Sequence, residues 1–145
     1  MGMTFRLNND PLVALVRDFP KRSHRAVDES AKAIRDLASQ LAPKDTGSLS
    51  VSLYVGTPTE SDYGQAAAAA QALNPAAVII PEVRSEFVLS LQSGNEGLYV
   101  DVVAWAVEHG LYQELGTRYQ AAQPFLFPAI ENERVQFVDR MRGIV

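Results

Sequence analysis

One segment constrains this chain more than any other. Between Ser23 and Ala42, the residues Val27, Ala31, Ile34, Leu37, Ala38 and Leu41 recur at helical spacing, with charges on the opposite face. The run stops against Pro43, because the residue before a proline is pushed out of the α region. The period then changes from 3.6 to two: Leu49, Val51, Leu53 and Val55 alternate with Ser48, Ser50, Ser52 and Tyr54, the pattern of a strand with one buried face. A long amphipathic helix feeding a half-buried strand requires a layer of each kind around one core. At 145 residues the chain has room for one such core and not two.

The remaining periodicities fill in this frame. Asp10-Pro11 reads as a helix start, with Leu12, Val13, Leu15 and Val16 following and Phe19-Pro20 ending a short first helix. Within the second helix, Glu29 is spaced to pair with Lys32. Glu82 to Gln92 alternates again through Val83, Phe87, Leu89 and Leu91, and Leu98, Val100, Val102 and Ala104 do the same. Ser93-Gly94-Asn95-Glu96-Gly97 between them reads as a hairpin turn. The segment from Trp105 to Leu111 reads as helix, continuing through Leu115 with Gly116 as its C-terminal cap. A last helix runs from Pro128 to Arg142, burying Ile130, Phe137, Val138 and Met141.

Gly56 to Pro81 belongs to neither pattern. Gln65 to Leu73 is a helix by propensity, bounded by Gly64 and Asn74-Pro75, but it is nearly all alanine. It is expected to project as an arm that orders against a partner, with a loose surface loop as the alternative. The fold class is α+β: one domain over residues 1–145, an antiparallel sheet of three to four strands packed by a long N-terminal and a C-terminal helix, with the arm inserted at about 56–81.

Charge and composition narrow the function. Hydrophobic residues make up 47% and charged residues 21%, which argues against wholesale disorder. The net charge of −4 is unevenly spread: residues 46–117 hold eight acids and one basic residue, Arg84. Such a stretch cannot neutralise phosphates, so it is not expected to grip nucleic acid. It suits an acidic solvated face, or a surface that DNA passes without sticking. Without cysteine there is no disulfide framework and no thiolate site. Met1 to Asp10 lacks the apolar core of a signal peptide, and no apolar run approaches a membrane span.

Catalytic patterns are not found. His24 and His109 lie far apart with no HExxH spacing, there is no GxSxG elbow, and Gly94 and Gly97 sit in a hairpin instead of a phosphate loop. Glu108 and Glu114, six residues apart on a helix, point to roughly opposed faces. The expectation is a chain that is not an enzyme and has no metal or other cofactor.

Three clusters stand out. Pro43-Lys44-Asp45-Thr46-Gly47-Ser48-Leu49 is a polar turn in which Asp45 or Thr46 can accept backbone hydrogen bonds and Gly47 permits a positive φ. Tyr112-Gln113-Glu114-Leu115-Gly116-Thr117 is a glycine-capped helix end. Gln123-Pro124-Phe125-Leu126-Phe127-Pro128-Ala129-Ile130 is an apolar lead into the last helix. Singly, each reads as turn, cap and core-docking segment. In this order and spacing they resemble the small neck, or head–tail joining, proteins of siphophage-type bacteriophages and related prophages, over about residues 22–142. The residues that carry the resemblance are Pro43, Asp45, Thr46, Gly47, Leu49, Tyr112, Glu114, Gly116, Thr117, Gln123, Pro124, Phe125, Leu126, Pro128 and Ala129. Two departures are the segment from Trp105 to Leu111, where the family has a short tyrosine-bearing loop, and the long alanine-rich stretch at 56–81.

The resemblance implies a virion structural protein of the tail or neck, assembled in the bacterial host cytoplasm. It implies a ring of identical subunits, in a hexameric or dodecameric context, that share sheet edges and loops. The partners would be the portal-connector or stopper and the tail tube or tail terminator, with DNA passing through unbound and no membrane involved. Two other classes compete with it: a small-ligand-binding or hydrolytic domain, and a cytoplasmic homo-oligomeric adaptor of prophage origin.

Overall fold

The computed structural model describes residues 11–44, 46–84 and 99–143, and the side chains among them from Asp18 onward. In chain order the elements are α1 (Pro11–Leu41), α2 (Ser48–Val51), β1 (Leu53–Gly56), α3 (Tyr63–Leu73), β2 (Val102–Trp105), α4 (His109–Leu115) and α5 (Leu126–Arg142). The architecture is α+β, with a two-stranded antiparallel sheet and long helices at either end of the described chain.

The two expected N-terminal helices are one helix of 31 residues, about 46 Å long at 1.5 Å per residue. Pro20 does not end it. Proline removes one N–H donor and crowds the preceding turn, at about 3 kcal/mol, and here the carbonyl of Pro20 still accepts the Ser23 hydroxyl at 2.9 Å. What the following turns gain by packing outweighs that cost. Ala26, Ser30, Ala38 and Ala42 are buried at steps of four along one ridge that Ile34 completes. Small side chains on an i+4 ridge let a second helix approach closely. That helix is α5: Ala38 and Ala42 share a core with Ala129 and Phe125, while Ser30 meets Arg140, so the two run antiparallel. Glu29, expected to pair with Lys32, instead faces Arg25 at 2.9 Å and Arg140 at 3.9 Å.

The strand expected over 48–55 begins later. Ser48–Val51 forms a single helical turn, and only Leu53–Gly56 is extended, all four residues buried. The serines explain the difference. Ser48 Oγ donates to the Ala70 carbonyl at 3.1 Å and Ser52 Oγ to the Leu49 carbonyl at 2.7 Å, and Ser39 and Ser50 exchange hydroxyl and carbonyl contacts at 2.8–2.9 Å. The Ser52 bond is the local hydroxyl–backbone kind that competes with strand pairing, while the Ser48 and Ser50 bonds tie the turn to α3 and α1. β1 then pairs with β2 in the register Leu53↔Trp105, Tyr54↔Ala104, Val55↔Val103 and Gly56↔Val102. Trp105, expected in a helix, is thus a strand residue, and α4 starts at His109. Likewise the last helix begins at Leu126, two residues before Pro128.

The alanine-rich segment is not a projecting arm. It forms α3, and Ala66 and Ala70 are buried. Successive strand residues point to opposite faces: Leu53 enters the core shared with α1 and α5, while Tyr54 enters a second cluster with Ala66 and Ala106. α3 covers that second face, which is why β1 shows no alternation of burial. Residues 77–84 complete the cover. Ile80 N–H donates to Ala106 O, Glu108 N–H to Val78 O (both 2.9 Å), Tyr63 Oη to Ile80 O at 2.6 Å, and Val83 N–H to Tyr54 Oη at 2.9 Å. Among the described residues the sheet has two strands. The hairpin expected from Glu82 to Ala104 falls largely on 85–98, outside the described residues.

Candidate functional site

The three sequence clusters meet at one end of the molecule. In the first, Asp45 lies outside the described residues. Its neighbours form the expected turn: Thr46 Oγ1 accepts the Ser48 N–H at 3.2 Å, Gly47 has φ 79°, and Leu49 is buried in the main core. Pro43, Thr46, Gly47 and Leu49 enclose a small cleft of about 30 Å³ with His109 and Gln113 of α4. The first cluster is thereby placed against the second.

The second and third clusters are tied together by Glu114. Its Oε2 accepts the N–H groups of Phe125 at 2.8 Å and Leu126 at 3.0 Å, and its Oε1 accepts that of Phe127 at 2.8 Å. These are orphan donors at the start of α5, where the helix dipole also favours a negative charge. α5 therefore has no capping side chain of its own at Phe125; its cap comes from α4, eleven to thirteen residues upstream. Between them the chain reverses through Gly116 (φ 76°, ψ 172°) and a tight turn in which Thr117 N–H donates to Gln120 O at 2.9 Å and Thr117 Oγ1 accepts Tyr119 N–H at 3.2 Å. Gln123 N–H closes the loop on Gln113 O at 2.7 Å. Phe125 is fully buried, edge-on to Trp105 at 5.5 Å, while Pro124 beside it is exposed.

Residues 109–127 thus form a clip pinned at its centre by one carboxylate. Around it stand large apolar side chains that the described chain leaves uncovered: Leu111, Tyr112, Leu115 (70% exposed), Tyr119 (91%) and Phe127 (63%). The Tyr112 hydroxyl donates to the Glu108 carboxylate at 3.4 Å. The residues singled out from sequence therefore divide. Thr46, Gly47, Leu49, Glu114, Gly116, Thr117, Gln123 and Phe125 build the framework, and Tyr112 belongs to its exposed surface. Leu111 and Leu115 were read only as residues of a short helix, Phe127 only as part of the apolar lead, and Tyr119 not at all, because exposure of an apolar residue has no signal in a pattern this short. Glu114 was weighed against Glu108 as a carboxylate pair, and its true partners are three backbone amides.

Two further polar groups lie along α1. Glu133, 6% exposed, is held by Arg140, whose guanidinium also donates to Ser30 Oγ at 2.7 Å. On the same helix Asp28 Oδ1 accepts the Tyr99 hydroxyl at 2.9 Å, and the Tyr99 ring stacks on His24 with centroids 3.9 Å apart. Next to them, both carboxyl oxygens of Asp101 are buried with no hydrogen-bond donor among the described residues. Burial first, and then the Asp28 carboxyl beside it, push the Asp101 carboxyl up to about 7, with the Lys32 charge offsetting part of the rise. Burial and the bond to Asp28 also raise the Tyr99 hydroxyl well above its ordinary value.

Among the described residues no group of three or more His, Cys, Asp or Glu side chains is arranged to hold a metal ion, and no helix is long and apolar enough to cross a membrane. No family profile, no curated protein and no solved structure matches the chain.

Proposed function

We propose that this chain is a non-enzymatic virion structural protein of a long-tailed bacteriophage or related particle, a ring subunit that joins the tail to the portal-connector. The observation that carries this reading is the clip. The three clusters behind the resemblance converge on one end of the fold, where their turn, cap and docking residues hold a framework with five large apolar side chains facing outward. Exposed apolar groups gathered on one substructure favour burial against a partner. In a ring each subunit meets two neighbours through head-to-tail contacts, so the clip of one subunit would pack against the next, or against the connector. A sheet of three to four strands sharing edges around the ring belongs to the same proposal. So does DNA passing the acidic stretch between residues 46 and 117, where one basic residue offers phosphates little hold.

The test is genetic and structural. Deleting the coding segment from the particle's genome is expected to yield filled heads and free tails that do not join, with joining restored by the wild-type chain. Leu115→Lys combined with Phe127→Lys, both at exposed positions, is expected to leave the subunit folded and fail to restore joining. Complete infectious particles from the deletion strain would refute the proposal.

A further inference from the structure

We propose that Asp28 and Asp101 form a proton-holding latch that fastens the lead into β2 onto α1 and releases it as pH rises. Two carboxyl oxygens buried without a donor are costly when ionised, and Asp101 has two such oxygens. The neighbouring Asp28 carboxylate can only accept, and it already takes the Tyr99 hydroxyl at 2.9 Å. A proton on Asp101 removes the buried charge and supplies the missing donor toward Asp28. Two carboxyls sharing one proton is the arrangement expected wherever two acids are held together away from water.

The surroundings make this a latch. Tyr99 and Asp101 are two residues apart in the segment leading into β2, and both engage α1, through Asp28 and through the ring of His24. Asp101 also borders a groove of about 400 Å³ between α1, β2 and α5, floored by Val27, Ala31, Ile34 and Val103. The charged and titratable groups facing Asp101 are Asp28 and Lys32 on α1, Tyr99 on its own segment, and Glu131, Glu133 and Arg134 on α5 across the groove; Glu60 acts on Tyr99 from the loop after β1. Glu133 is held by Arg140, and the Lys32 charge counters the ionised pair. Losing the proton places two adjacent negative charges at the seam. The tyrosine–aspartate bond and the ring stack are then left to hold it.

The sign follows from the two states. The folded chain keeps the Asp101 proton up to about pH 7, whereas an unfolded aspartate loses it near pH 3.9. Between these values the folded state binds the extra proton, so the latch is fully closed below about pH 4 and weakens through about pH 7. The test uses the full chain and follows amide exchange of residues 99–105 from pH 5 to pH 8, corrected for intrinsic exchange, with ¹³C detection of the Asp101 carboxyl. Protection of this segment is expected to fall by up to about tenfold per pH unit between pH 5 and 7. Asp101→Asn and Asp28→Asn are each expected to flatten that dependence. A carboxyl midpoint near 4 in the wild type would overturn the latch even if neither variant folds. So would an unchanged pH profile in a folded variant, or millimolar magnesium restoring full protection at pH 8, since a cation would then be neutralising the pair.

Discussion

Replacing Glu114 with alanine tests whether the clip is organised as described. The wild-type carboxylate accepts three N–H groups at 2.8, 3.0 and 2.8 Å, two of them partly buried. Truncation leaves three helix-start donors without that acceptor. Water reaches the exposed Phe127 amide and satisfies it at little cost, while Phe125 and Leu126 lose charge-assisted bonds of about 1.5–3 kcal/mol each. Such bonds share one carboxylate and do not add fully, and loss of an N-cap costs about 0.5–2 kcal/mol. We therefore expect Glu114→Ala to destabilise by about 2–4 kcal/mol, a melting shift of about 6–15 °C for a domain of this size. Glu114→Gln keeps the shape and the oxygen that can serve Phe125 and Leu126, but turns an amide toward the Phe127 N–H. Its loss is expected at about 1 kcal/mol. Urea unfolding followed by circular dichroism measures both, and amide exchange at 125–127 localises the effect. If Glu114→Ala lies within about 0.5 kcal/mol of wild type with an unchanged denaturant slope, the carboxylate is not the pin and the account of the clip is wrong.

Other substitutions probe separate parts of the fold by the same measurements. Gly116→Ala places a Cβ 2.8 Å from the Ala122 nitrogen at a φ, ψ reserved for glycine, and is expected to cost more than about 2 kcal/mol; an unchanged midpoint would refute the turn. Gly47→Val, with φ 79°, should lose about 1–2 kcal/mol from backbone strain. Ala70→Leu overfills a fully buried site beneath α3 and should cost about 1–3 kcal/mol; a neutral or stabilising result would mean α3 stands clear of the core. Arg140→Ala strips the partner from buried Glu133, with an expected loss of about 2–4 kcal/mol that Glu133→Gln in the same chain should partly recover.

What sequence alone determined is what lies within a turn or two of itself. The helix from Val27 to Leu41, the stop at Pro43, the positive φ at Gly47, the alanine helix within 63–73 and the glycine after α4 are local steric and periodic facts. They do not depend on what packs against them. The tertiary structure decided the rest, mostly through contacts distant in sequence that overrode a local preference. Packing of Ala26 through Ala42 on α5 carried one helix through Pro20. Hydroxyl bonds from Ser48 to α3, Ser50 to α1 and Ser52 to α2 shortened a strand read over 48–55 as half-buried, which is extended only over Leu53–Gly56 with both faces covered. α3 was legible as a helix and illegible as a layer, because alanine burial contributes little per residue and shows no amphipathic stripe; its place follows from the second face of β1 needing cover. The partnership of Glu114 with the start of α5, and the burial of Asp101 beside Asp28, join residues 11 to 73 positions apart. No periodicity encodes such pairs, and only a closed core brings their charges to donors, or leaves them without one.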